Sequence, residues 1–224
     1  MATAPANVQF PATKGPYMLQ TLTERLFDDG DRADLDPFAV FEEWFALARE
    51  AEPNDPHAMA LATVDDDGLP DLRMVLLNAR DARGFCFFTN FESEKGRQLH
   101  AHPKAAMMMH WKSLRRQVRM RGPVEVVAPE EADAYFASRA RGSQIASSAS
   151  EQSRALASRE ALLERVAKLS AEMGENPVPR PAHWSGFRLL PTSIEFWKDG
   201  EFRLHDRVRF VRDGEGWTSS RLYP

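Results

Sequence analysis

Near the C-terminal end, Arg203-Leu204-His205-Asp206-Arg207 places two guanidinium groups and an imidazole at alternate positions. In a β-strand, alternation would put Arg203, His205 and Arg207 on one face. The arginines are permanently charged and the imidazole titrates near neutrality, so such a row could receive an oxyanion. A solvated edge strand, with Asp206 balancing the arginines, accounts for the same residues. A second constellation is Tyr135, Arg139 and Ser143, spaced i, i+4 and i+8. On a continuous helix these share a face and offer a guanidinium and two hydroxyls to a phosphate. Gly142 interrupts the last turn, and a plain surface face fits that spacing equally well. Arg73 opens the apolar run Met74-Val75-Leu76-Leu77, an arrangement suited to a flat, phosphorylated ring or to an ordinary barrel strand. Arg115, Arg116, Arg119 and Arg121 form a further basic cluster around Gln117.

Other chemistries are missing from the 224 residues. The formal charge of -4 argues against nucleic acid as the main partner, so anion binding must come from local arginine clusters. The single cysteine, Cys86, lies in the apolar run Phe85-Cys86-Phe87-Phe88 and reads as a buried structural thiol in a cytoplasmic protein. No apolar run is long enough for a membrane span, and the N-terminus lacks the pattern of a secretory signal. The six histidines form no H-x-x-x-H pair and no second cysteine joins them, so no metal site is expected. G-x-S-x-G, Walker A and G-x-G-x-x-G are all absent. Catalysis would therefore rest on an organic cofactor that the protein binds and orients.

The elements that must position these groups are mainly strands. Residues 1–32 read as a mobile arm with a short helix near 19–27. Asp36-Pro37 starts a helix with Phe38, Phe41, Trp44, Phe45 and Ala48 at core-facing spacing. Strands are expected over 58–64, 72–77, 85–89, 105–111 and 117–127, with a helix over 93–100. They suggest an antiparallel meander closing into a small barrel. A helical insertion spans about 129–173, with helices over 129–139 and 153–173. Further strands follow over 187–190, 193–197, 202–211 and 217–222. Residues 33–224 are expected to form a single, mainly β domain with flanking helices.

Eight short motifs occur in order: R-M-V-L-L at 73–77, F-F-T-N at 87–90, R-Q-V at 116–118, Y-F-x-S-R at 135–139, S-Q-I at 143–145, Q-S at 152–153, E-F-W at 195–197 and R-L-H-D-R at 203–207. In this respect the chain resembles the pyridoxamine 5'-phosphate oxidase family, FMN enzymes that make pyridoxal 5'-phosphate. The resemblance implies an FMN-binding split β-barrel and a homodimer with FMN at the subunit interface. It assigns FMN contacts to Arg73, Met74, Val75, Leu76, Leu77, Phe88, Thr89, Lys95, Gln117, Gln152, Ser153, Trp197 and Arg207. It assigns the substrate phosphate to Tyr135, Arg139 and Ser143, and the pyridine ring to Arg203 and His205, the expected catalytic pair. The implied reaction takes a hydride from the 4' carbon of pyridoxamine or pyridoxine 5'-phosphate. Dioxygen is the final acceptor, giving hydrogen peroxide, with ammonia released from the amine.

This chain also departs from the family pattern. Asn78 stands where a phosphate-binding lysine often follows R-M-V-L-L, Glu94 replaces an arginine beside Lys95, and Ala140 replaces a proline. These departures predict weaker or rearranged phosphate binding with activity retained. Two other readings remain at this stage: an FMN oxidase of another aromatic substrate, as in phenazine pathways, and a non-catalytic carrier of flavin or pyridoxal phosphate.

Overall fold

The computed structural model describes residues 21–224. The chain enters through helix α1 (Leu22–Phe27), where the Thr21 hydroxyl accepts from the Glu24 N–H and the Glu24 carboxylate accepts from the Thr21 N–H. Helix α2 (Pro37–Ala51) follows, with Asp36 capping it and Pro37 in its first turn. Glu43 on α2 receives the backbone N–H groups of Leu22 and Thr23, and the Trp44 indole donates to the Thr23 hydroxyl at 2.8 Å. Leu26 is completely buried. The short helix expected near 19–27 of the arm is present as α1, and Leu22, Thr23 and Leu26 hold it against the core. The first twenty residues of the arm lie outside the described part.

Among the described residues, ten antiparallel strands make one sheet curled into a half-barrel, with helices along its flanks. They are β1 (Ala58–Val64), β2 (Pro70–Leu76), β3 (Ala79–Asp81), β4 (Gly84–Asn90), β5 (Lys104–Trp111) and β6 (Arg116–Val126), then β7 (Trp184–Leu189), β8 (Ser193–Lys198), β9 (Asp206–Asp213) and β10 (Gly216–Arg221). The main path runs β10-β9-β8-β6-β5-β1-β2. Strand β6 splits the sheet: its first part, through Arg121, pairs with β8, and Val124–Val126 pairs with β7. Gly122 sits at this fork, where a Cβ would collide with the Leu190 carbonyl.

The expected simple meander is corrected here. After β2 the chain leaves its neighbours, and β4 pairs with β7 from the far end of the sequence. Short turns suggested sequential pairing, but β4 is buried at all but one position, so the backbone groups of its second edge need a partner, and the distant β7 supplies it. The short strand β3 lies between two of the expected strands and turns back at Asp81, whose carboxylate accepts from the Arg83 N–H at 2.8 Å.

The inward face of the sheet carries Met59, Leu61, Met107, Met109, Val118, Met120, Phe196 and Phe210, all fully buried with α2 packed among them. The opposite face of β2 is apolar yet open: Leu72 is 66% and Met74 64% exposed. Helices α3 (Glu94–Ala101), α4 (Pro129–Ser138), α5 (Arg141–Ala149) and α6 (Arg159–Met173) complete the fold. The last three occupy the expected insertion. Helix α6 begins at Arg159, later than the expected 153, because Ser153 is left-handed (φ 69°) and Ser158 is the cap that starts it.

Candidate active site

A cavity of about 570 Å³ lies against β2 and β4 and is covered by the helical insertion. Arg73, Met74, Val75 and Leu76 of β2 line it, with Phe88 and Thr89 of β4 and Lys95 of α3. The insertion contributes Tyr135, Arg139 and Ser143, and Gln152 follows α5. Eleven of the residues expected from the sequence therefore meet at one place.

Two groups of polar side chains can be distinguished within it. In the first, the Lys95 ammonium donates to the Gln152 side-chain carbonyl at 2.9 Å, and the Thr89 hydroxyl donates to the same oxygen at 3.1 Å. Lys95 is 9% exposed and has no ion-pair partner among the described residues. Burial, followed by the nearby Arg73, holds its pKa below the ordinary lysine value. Arg73 itself is paired with Asp71 and donates to Thr63, and to Gln98 at 3.2 Å.

In the second group, the Asn78 amide donates to the Tyr135 hydroxyl at 2.5 Å, and an Arg139 Nη donates to the Ser147 hydroxyl at 2.8 Å. The Arg139 guanidinium also sits over the Trp184 ring, 4.9 Å from its centroid. Phe88 stacks on Tyr135 at 4.2 Å and on Trp184 at 5.3 Å. Burial raises the Tyr135 phenol above its ordinary pKa and lowers that of Arg139. Tyr135, Arg139 and Ser143 do line one cavity, but not from one continuous helix. Arg139 is extended (φ -76°, ψ 151°), ends α4, and is followed by a new helix from Arg141. The bend, more than the i+4 spacing, turns the guanidinium toward Ser147.

The remaining expected residues do not line this cavity. Leu77 is in the hydrophobic core, and Ser153 lies exposed beyond Gln152. Gln117, Trp197 and Arg207 form one cross-strand row through β6, β8 and β9, three to five strands from β2 in the sheet order. Arg207 donates to the buried Glu195 at 2.7 Å, and Arg119 binds the other oxygen of that carboxylate at 2.6 Å. His205 packs on Trp197 at 4.7 Å, with its Nδ1 3.1 Å from an Asp199 oxygen.

The strand imagined for residues 203–207 is also corrected. Glu201–Arg203 form a 3-10 turn with Phe202 and Arg203 at positive φ, and β9 begins only at Asp206. Arg203, His205 and Arg207 thus share no strand face. Arg203 is exposed, with no side-chain partner among the described residues. The basic cluster at 115–121 disperses as well: Arg115 pairs with Asp199, and Arg116 turns inward over the Trp44 ring.

Asn90, Ala146, Ser147, Ser150 and Trp184 line the cavity without having been singled out. The serines had a visible signal, since Ser143, Ser147 and Ser150 recur at i, i+4 and i+7. Trp184 had none, because it reaches the cavity only through the β4–β7 pairing.

A curled antiparallel sheet with a two-part polar cavity defines the split-barrel class. A pyridoxamine 5'-phosphate oxidase-related, FMN binding protein from Nostoc punctiforme shares this fold at a TM-score of 0.71, with 16% identity, 85% of this chain covered and 100% of that one. PhzG from Burkholderia lata, solved with tetrahydrophenazine-1-carboxylic acid, is 34% identical at a TM-score of 0.81, covering 88% of this chain and 96% of that one.

Residues 48–171 match the family described as Pyridoxamine 5'-phosphate oxidase, and 184–224 match the Pyridoxine 5'-phosphate oxidase C-terminal dimerisation region. Pyridoxine/pyridoxamine 5'-phosphate oxidases from Caulobacter vibrioides and Rhizobium johnstonii are 60% and 62% identical, over 84% of this chain and 85% and 93% of theirs. That of Gluconobacter oxydans is 56% identical over 84% of this chain and 94% of its own. The chain belongs to the pyridoxamine 5'-phosphate oxidase family.

Proposed function

We propose that this chain is an FMN-dependent oxidase that converts pyridoxamine and pyridoxine 5'-phosphates to pyridoxal 5'-phosphate in the cytoplasm. The observation that carries this reading is the pair of polar groups, Lys95–Gln152–Thr89 and Asn78–Tyr135/Arg139–Ser147, in one cavity. Two phosphorylated ring compounds, cofactor and substrate, are the ligands such a pair suits. The buried Lys95 ammonium, with only neutral oxygens as hydrogen-bond partners, fits the FMN phosphate, and the apolar Met74-Val75-Leu76 wall fits a flat ring. Identity near 60% to curated oxidases, against 34% to PhzG, favours the B6 substrate over a phenazine precursor.

Bound FMN supplies a two-electron acceptor that dioxygen restores, with hydrogen peroxide as the reduced product. The chain contributes binding and orientation. Tyr135, Arg139 and Ser143 hold the substrate phosphate, fixing where the 4' carbon lies. Arg203 and His205 act at the pyridine ring, holding it in place so that the 4' carbon is presented for oxidation. The Gly200 backbone N–H, which donates to His205 Nδ1 at 3.2 Å, orients the imidazole together with the Trp197 ring. Because Arg203 and His205 do not line the cavity of their own chain, the reading includes a homodimer in which they complete the partner's site. The match of residues 184–224 to a dimerisation region and the open apolar face of β2 support it.

Aerobic incubation of FMN-loaded protein with pyridoxine 5'-phosphate tests the reading. Aldehyde absorbance and peroxide should rise together, one for one. Bound FMN without turnover would overturn it in favour of a carrier.

A further inference from the structure

We propose that Asn78 is a positioning residue that makes the Tyr135 hydroxyl a hydrogen-bond donor aimed at the anionic end of the substrate. The inference rests on the reading of the Tyr135–Arg139 group as the substrate phosphate site. An amide nitrogen only donates, so with Asn78 Nδ2 at 2.5 Å the Tyr135 oxygen is the acceptor. Its own proton must then point elsewhere. The amide is held in this sense from behind, because the Asn78 side-chain carbonyl accepts the Phe88 backbone N–H at 3.3 Å. Turning the amide over would set its NH2 against that N–H and lose the bond.

Phe88 in turn fixes the phenol plane by stacking on it at 4.2 Å and an interplanar angle of 15°. Two adjacent contacts, one through the backbone and one through the ring of the same residue, therefore fix both the tyrosine and the residue that sets its proton. The direction left for the O–H is the cavity, which Arg139 and Ser143 also line. A phenol is protonated at neutral pH even unperturbed, and burial raises its pKa further. A neutral amide at position 78 thus acts on the anion through Tyr135 and adds no charge of its own.

The test is a double-mutant cycle on the FMN-loaded enzyme, with Asn78→Ala and Tyr135→Phe. Asn78→Ala should raise the KM for pyridoxine 5'-phosphate about 10-fold and leave kcat within about twofold. In the Tyr135→Phe background the same substitution should change KM by less than about twofold, because there is no hydroxyl left to orient. Asn78→Asp, nearly isosteric, should be worse than alanine, since its carboxylate would accept the Tyr135 proton and reverse the bond. The same cycle read in the Kd for pyridoxal 5'-phosphate examines the contact without needing turnover. FMN content separates a folding failure from a binding one, and the Asp variant keeps the side-chain volume. An undiminished 10-fold effect of Asn78→Ala in the Tyr135→Phe background would overturn the inference. So would no effect of Asn78→Ala on KM or Kd in an enzyme that otherwise turns over. A wild-type protein that binds FMN but neither oxidises pyridoxine 5'-phosphate nor binds the aldehyde would instead sink the functional reading beneath it.

Discussion

The cavity under the helical insertion and the Gln117-Trp197-Arg207 row carry similar residues but are built in opposite ways. In the cavity, Arg73 is paired with Asp71, but two other cations are held by neutral partners: Lys95 by Gln152, and Arg139 by Ser147 and the Trp184 ring. Their charge remains available to an anion. In the row, Arg207 and Arg119 share the buried Glu195, so much of their charge is satisfied within the protein. Arg203, two residues before His205, has no side-chain partner among the described residues and is exposed on a left-handed turn beside Phe202, which is 89% exposed. The first region can hold a ligand with its own chain's groups. The second neutralises Arg207 and Arg119 on its own Glu195 and leaves Arg203 exposed.

The largest test of this contrast uses both regions at once. Arg139→Ala should raise the KM for the phosphorylated substrate about 100-fold, the cost of a charged hydrogen-bonding group. Arg203→Ala should lower kcat by a factor on the order of 100 with FMN still bound. If the two regions meet across a dimer, unfolding and refolding these inactive variants together should restore activity, because each mixed dimer regains one intact site. Random pairing would return about a quarter of the wild-type activity. No recovery, with mixed dimers verified by mass, would place both residues in a site made by one chain.

A smaller effect probes the uncompensated cation. Lys95 has a lowered pKa, so its charge is present at low pH and is lost as pH rises, before an ordinary lysine would lose it. FMN affinity should therefore fall on the alkaline side, by at most about tenfold per pH unit. Riboflavin, which lacks the phosphate, should show a flat profile in the same fluorescence titration. Equal pH dependence for the two flavins would remove Lys95 from the phosphate site.

The smallest effect is expected at a buried residue that lines neither region. Cys86 is fully buried, and burial pushes its thiol up to about 12. It should resist alkylation at pH 8 until the protein unfolds. Cys86→Ala should cost about 1 kcal/mol of stability, measured by denaturant unfolding, and leave turnover within twofold. A large loss of activity would mean that the barrel core transmits strain to the cavity.

Asn78 shows where reading residues one at a time falls short. By type alone it is a lost cation and predicts weaker phosphate binding. Its partners, the Phe88 N–H and the Tyr135 hydroxyl, come from residues 10 and 57 positions away, and they give it a different role. Glu94 likewise reads as a lost FMN contact, whereas in the structure it is paired with Arg97 at 2.6 Å on the exposed side of α3.

The sequence by itself determined the local elements and the inventory of the chemistry. Alternation marked the strands, Asp36-Pro37 marked α2, and the ordered motifs held many of the residues that line the cavity, together with others that do not. Each depends on neighbours a few positions apart, where side-chain period and capping act. Only the tertiary structure decided that β4 pairs with β7, that the chain bends at Arg139 to break the helix, and that residues 201–203 turn instead of extending. It also separated the cavity from the Arg207 row. These outcomes are set by burial between segments distant in sequence, and by which carboxylate or hydroxyl each arginine meets there. Local spacing carries no information about either.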